Sequence, residues 1–167
     1  QPDIVLTQGD TTTTFTASLA AFYFQIPIGH IEAGLRTYDK HHPFPEEVNR
    51  RITTVLADLH FAPTAAAKSN LVRERIPEDT IWVTGNTVVD ALLQVLEMPR
   101  SHCDALSAFF KDRYNLDLAD RHQKIILVTG HRRESFGSGF ENICRALKAI
   151  AEQRDDVVLA YPCPFEP

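Results

Sequence analysis

"KIILVTGHRRESFGSGFENICRALKAIAEQRDDVVLAY", residues 124–161, sets the fold class. The apolar run Lys124–Thr129 reads as a strand. A helix follows at about Gly139–Gln153, with Phe140, Ile143, Leu147 and Ile150 on one stripe at helical spacing. Val157–Tyr161 is apolar again and reads as a second strand. Strand, helix, strand implies parallel pairing and an α/β fold. The same alternation fills the first half of the chain. Strands are expected at Ile4–Leu6, Ile26–Ile31, Leu59–Ala62 and Thr80–Thr84. Helices are expected at Thr12–Phe24, Glu46–Ala57 and, capped by Thr64, Ala65–Arg75. The Glu46–Ala57 helix has Val48, Ile52, Val55 and Leu56 on its core face. Glu46, Asn49, Arg50 and Thr53 lie opposite. At "GNTVVDALLQVLEM", residues 85–98, the pattern changes to a helix apolar over a broad arc, which predicts burial. Residues 101–123 are more polar, with a helix and a loop. The break near Gly85 divides the chain into domains 1–84 and 85–167.

The 167 residues suffice for one domain or parts of two. Hydrophobic residues make up 44% and charged residues 23%, the mix of a soluble globular protein. With 17 basic against 22 acidic residues, the net charge of -5 argues against nucleic acid as a partner. No apolar segment is long enough to span a bilayer, and no signal-peptide pattern opens the chain. The chain starts at Gln1, just before a strand, and stops just after one, so both ends are expected to be cuts within a longer protein. Three cysteines without metal-ligand spacing (Cys103, Cys144, Cys163) read as reduced thiols.

Ligands of open parallel sheets collect beyond the carboxyl ends of the strands. Four such places carry unusual polar residues. In "TQGDTTTT", Asp10 is either the cap of the next helix or a carboxylate held in a cleft. In "GHIEAGLRT", Glu32 follows an apolar strand, with Arg36 near enough to form a surface ion pair. In "HHPFPEEVNRR", Glu46 and Glu47 complement the helix dipole. Yet Glu46, Asn49 and Arg50 are an odd set for mere solvation after His41 and His42. In the stretch after Thr129, His131, Arg132 and Arg133 put positive charge before a helix start, where free N–H groups suit phosphate. Gly137 and Gly139 let a ligand approach the backbone. The alternative there is a charged turn pairing internally with Glu134. Neither a P-loop nor a GxGxxG pattern is present. The residues imply a phosphate or diphosphate on the second domain and three carboxylates on the first, a set suited to proton transfer or sugar-nucleotide chemistry.

"GDTTTT", "GHIEAGLRT", "PEEVNR", "TGNTVVDAL" and "VTGHRRESFG", in this order, resemble the non-hydrolysing bacterial UDP-N-acetylglucosamine 2-epimerases over nearly the whole chain. The resemblance implies parts of two Rossmann-like domains with parallel sheets, in the architecture of one large glycosyltransferase class. Residues 1–84 would end the first domain and 85–167 begin the nucleotide-binding second. It implies inversion at C2 of UDP-N-acetylglucosamine by elimination and re-addition of UDP. Asp10, Glu32 and Glu46 match the family's catalytic carboxylates, and His131 its nucleotide-contacting histidine. Arg36, Arg132, Arg133, Glu134, Ser135 and Gly137 would contact substrate. No metal or redox cofactor is required, and no nucleic acid or membrane is expected. The family is cytoplasmic, homodimeric at full length, and feeds surface polysaccharide synthesis. One departure is the tail "CPFEP" after Tyr161-Pro162, which lacks the histidine of the family's regulatory region. Two alternatives stay open: a hydrolysing epimerase or glycosyltransferase of the same architecture, and an inactive truncated chain serving at most as a binding or dimerisation module.

Overall fold

Thr7, His30, His60 and Ile81 stand side by side, one from each of four parallel strands. Those strands are β1 (Val5–Gln8), β2 (Ile28–Ile31), β3 (Leu59–Ala62) and β4 (Ile81–Val83), in spatial order β1-β2-β3-β4. The structure, a computed structural model, describes residues 2–120, 122–129 and 137–162. The connections are α1 (Thr12–Tyr23), α2 (Glu46–Leu56) and α3 (Ala65–Arg73), followed by a 3-10 turn at Glu78–Thr80. Each strand lies beside its predecessor, so right-handed crossovers put all three helices on one face of the sheet. The row of Thr7, His30, His60 and Ile81 is buried under them. Side chains alternate along a strand, so Leu6 and Trp82 point the other way and are 58% and 44% exposed.

The chain divides into two compact units, residues 1–94 and 95–167. In the first, the apolar core is small: Ala33, Ala62, Ala67, Leu71 and Ile81, with Ile76 against it. In the second, β5 (Lys124–Leu127) and β6 (Val157–Ala160) pair in parallel, joined by α6 (Ser138–Gln153). Helix α5 (Arg100–Tyr114) precedes them and ends at Asn115, whose left-handed backbone (φ 53) closes the last turn. Both sheets are parallel, as the strand–helix alternation implies; α1, α2, α3, α4 (Thr87–Leu96) and α6 lie within about two residues of their expected ranges, and α5 falls in the stretch read only as a helix and a loop.

Two expectations about faces are overturned. Helix α2 turns its polar side inward: Glu47, Asn49, Arg50, Thr53 and Thr54 are buried, while Val48, Ile52 and Val55 are exposed. The buried side chains bond the turn after β1 and the loop after β2, and those bonds decide which face the helix presents. Helix α4 (Thr87–Leu96), expected to be buried, has Val88, Val89, Leu92 and Leu93 more than half exposed. Periodicity reveals an apolar arc; it does not supply a surface to cover it. Among the described residues no helix is long and apolar enough to cross a membrane.

Candidate active site

The turn after β1 is set by Gly9, whose φ of 77 favours a residue without Cβ. Its N–H donates to Ile31 O (3.0 Å), locking the turn against the end of β2. Thr11 then caps α1, its hydroxyl accepting from Thr14 N–H (3.2 Å). Thr14 in turn donates its own hydroxyl to Gln8 O (2.6 Å). The helix-cap reading of Asp10 is therefore corrected: Thr11 supplies the cap, and the Asp10 side chain is free for other work.

That side chain points at α2. Arg50 Nη2 is 3.0 Å from Asp10 Oδ2, and Asn49 donates its side-chain N–H to Asp10 O (3.0 Å). Burial pushes the Asp10 carboxyl above the usual carboxylate range. Arg50 opposes this, and the charges of Glu46 and Glu47 add to it. Glu46, the first residue of α2, lies within electrostatic reach of Asp10, and its like charge helps raise that carboxyl.

Glu32 arrives from the end of β2. Its backbone is left-handed (φ 68), a costly conformation for a residue with a side chain. The carboxylate lies over the β1 turn: a Cβ placed on Gly9 would sit 3.4 Å from Glu32 Oε2. Asp10 and Glu32 thus meet at one turn, at the carboxyl ends of β1 and β2, with Glu46 at the start of α2 within electrostatic reach of Asp10.

Arg36 behaves differently. It does not pair with Glu32. Its Nε and Nη2 donate to the two carboxylate oxygens of Glu74 (2.8 and 2.7 Å), and Nη2 also donates to Thr54 Oγ1 (2.9 Å). The side chain is 0% exposed. The guanidinium is closed inside the fold, where it clamps the loop after β2 to the end of α3. The Glu74 carboxyl is held below its usual range by that hydrogen bonding.

Three groups outside the expected set shape the site. His30 is 0% exposed, and its Nε2 lies 2.8 Å from Gly9 O. Burial pushes its pKa down to about 4, although the Gly9 bond favours the charged form, so the ring is neutral near pH 7. The neutral ring must donate through Nε2–H to that carbonyl. Glu47, also 0% exposed, accepts from Thr37 and Tyr38 N–H (3.1 Å each) and lies 3.6 Å from Arg50 Nε. Arg50 itself was noticed as an odd charge but not placed at the site. A sequence signal existed for His30, a lone polar residue inside the apolar run "IPIGHI". Glu47 gave none beyond its place in a first helical turn.

Of the residues expected in the second unit, His131, Arg132, Arg133, Glu134 and Ser135 lie outside the described residues. Gly137 precedes α6 with φ 89, and its carbonyl accepts from Glu141 N–H (3.1 Å). The chemistry available in the first unit is proton transfer by carboxylates of unequal surroundings, one of them raised and tied to an arginine.

A family model described as UDP-N-acetylglucosamine 2-epimerase matches residues 1–167. A UDP-N-acetylglucosamine 2-epimerase of Yersinia pestis is 53% identical over 167 residues, covering 100% of this chain and 44% of the relative. Among solved structures, the UDP-GlcNAc 2-epimerase of Neisseria meningitidis, bound to UDP-GlcNAc, superposes with a TM-score of 0.86 at 48% identity, over 96% of this chain and 42% of its own. The Methanocaldococcus jannaschii enzyme, in complex with UDP-GlcNAc and UDP, gives a TM-score of 0.75 at 36% identity, over 96% and 42%. The chain spans less than half the length of these relatives. It belongs to the UDP-N-acetylglucosamine 2-epimerase family, a family of isomerases with the two-domain glycosyltransferase-B-like architecture.

Proposed function

We propose that this chain carries the carboxylate half of an enzyme that reversibly converts UDP-N-acetylglucosamine to UDP-N-acetylmannosamine. Residues 1–84 would close the first Rossmann-like domain, and residues 85–167 would open the nucleotide-binding one. The observation that carries the reading is the meeting of Asp10 and Glu32 at the turn after β1, with Glu46 within electrostatic reach of Asp10. It is supported by the ligands of the Neisseria and Methanocaldococcus relatives.

In this mechanism a carboxylate removes the proton at C2. The C2–H electron pair becomes the C1–C2 double bond, and the C1–O bond breaks with its electrons leaving on UDP. The intermediate is a 2-acetamidoglucal. Re-addition of UDP at C1, with a proton delivered to the other face of C2, gives the epimer. Carboxylates favour the positive character developing at C1. The departing diphosphate needs cations and N–H dipoles, the role read for His131, Arg132 and Arg133 and for the helix start at Gly137, while Glu134 and Ser135 are read as contacts to the rest of the substrate. The complete enzyme is read as a cytoplasmic homodimer that uses no metal or redox cofactor and supplies a polysaccharide precursor.

The test is incubation with UDP-N-acetylglucosamine in heavy water, followed by proton NMR, on this chain and on one extended at both ends. Deuterium at C2 together with a UDP-N-acetylmannosamine signal is the expected result. Free N-acetylmannosamine would point instead to the hydrolysing type. No exchange in the extended chain would overturn the reading.

A further inference from the structure

We propose that Arg50 is a positioning residue for this reaction: gripped from behind by the buried Glu47, it fixes where the Asp10 carboxylate points. The inference rests on the epimerase reading for its purpose, and on geometry alone for its substance.

Asp10 sits in a glycine turn with its side chain 29% exposed. Such a carboxylate has several rotamers open to it. Helix α2 removes that freedom twice. Asn49 holds the Asp10 carbonyl at 3.0 Å, and Arg50 Nη2 holds Oδ2 at 3.0 Å. Arg50 can do this only if its own long side chain is fixed. One helical turn earlier on the same face, Glu47 lies 3.6 Å from Arg50 Nε, an ion-pair contact beyond hydrogen-bond length. Glu47 cannot swing away, because its two oxygens accept from Thr37 and Tyr38 N–H. Its side chain is 0% exposed and that of Arg50 10%. A lysine has the charge but not the planar guanidinium that holds Asp10 through Nη2 while Nε faces Glu47 in a longer ion-pair contact.

The arrangement also links the loop after β2 to the reaction. Thr37 and Tyr38 seat Glu47, Glu47 seats Arg50, and Arg50 aims Asp10. The charged groups acting on Asp10 are Arg50, Glu46 and Glu47 of α2, and Glu32 after β2 lies against the neighbouring Gly9. His30 of β2 reaches the turn only through Gly9 O.

The test is a side-chain carboxyl carbon NMR titration of Asp10 in the 167-residue chain, which needs no turnover. In Arg50→Gln the midpoint moves upward by about one pH unit. In Arg50→Lys it falls between this value and that of the parent. A purely structural role would lower the melting temperature and leave the Asp10 titration unchanged, and an unchanged midpoint in Arg50→Gln overturns the proposal. A parental midpoint in Arg50→Lys reduces Arg50 to a point charge and overturns it as well. That variant decides alone if Arg50→Gln loses the folded amide spectrum. In Glu47→Gln the Arg50 guanidinium gains mobility, read as a lower Nε order parameter by NMR relaxation; an unchanged order parameter removes Glu47 from the device. Failure of the epimerase reading shows up separately, as no C2 deuteration by the extended parent chain, and leaves these titrations standing.

Discussion

Single residues near the site are held in states they would not keep in water. His30 is the sharpest case. Its folded pKa of about 4 lies below the ordinary value of 6.5, because burial disfavours the imidazolium. The folded form therefore binds fewer protons than the unfolded form between those values, and stability rises with pH across that window. The contribution is complete above pH 6.5 and is lost as the pH falls through 4. A shift of this size corresponds to about 3 kcal/mol. The expected outcome is a His30 ring-proton titration with its midpoint near 4. Urea unfolding should then show stability falling from pH 7 to pH 4, with a shallower fall in His30→Gln. A midpoint near 6.5 would mean a hydrated ring and remove both expectations. His60, beside it in the next strand, similarly offers Nε2 to Thr54 O at 3.1 Å. Sequence reading found the carboxylates because they stand at strand ends. It passed over His30 because a histidine inside an apolar strand is usually no more than a tolerated core residue.

At the scale of elements, the order and type of strands and helices were legible from the chain, and the faces were not. Helix α2 shows why. Its amphipathic spacing identifies two faces, and hydrophobicity alone assigns Val48, Ile52 and Val55 to the interior. The fold instead buries the face whose side chains have partners: Glu47 on the 37–38 backbone, Asn49 on Asp10 O, Arg50 on the Asp10 carboxylate. Most buried polar groups on this face are paired, Arg50 Nε and Thr53 Oγ1 being without a hydrogen bond, and pairing is a tertiary property that periodicity does not encode. Arg36 fails for the same reason, since Glu74, 38 residues away, is its partner. Packing of elements also explains Gly34. With φ 89 it lies where the loop after β2 crosses α3. A Cβ there would strike the Ala67 carbonyl oxygen, lie 2.8 Å from Ala67 C and 3.0 Å from Leu71 Cγ. Gly34→Ala combines a left-handed backbone with a steric clash against main chain, which cannot step aside. It is expected to destabilise the first unit by about 2 kcal/mol or more. Urea midpoints of the two proteins, compared at equal m-value, check this. A cost within a few tenths of a kcal/mol would mean that α3 moves freely against the loop.

At the scale of the whole molecule, burial is the missing quantity. Within each unit, apolar surface stands open. The sheet of the first unit is covered on one face only, leaving Leu6 and Trp82 open. The apolar sides of α2 and α4 are likewise exposed. In the second unit no described residue is buried, and two helices and two strands share whatever protection exists. Hydrophobic burial is the main favourable term in folding, so the two units must differ in local stability. The first has a closed cluster around Leu71 and a ladder of four strands. The second has a single parallel pair, and such pairing needs cover on both faces. Amide hydrogen exchange of the 167-residue chain is therefore expected to divide by unit. Protection should concentrate in β2, β3 and α3, where Ile28, His30, His60 and Leu71 are buried. Amides of β5, β6 and α6 should exchange at rates near those of an unfolded chain. In a chain extended at both ends, the same amides should gain protection as their apolar faces are covered. Equal protection of β5 and β2 in the 167-residue chain would show that the second unit is stabilised by something other than burial, and would overturn the division.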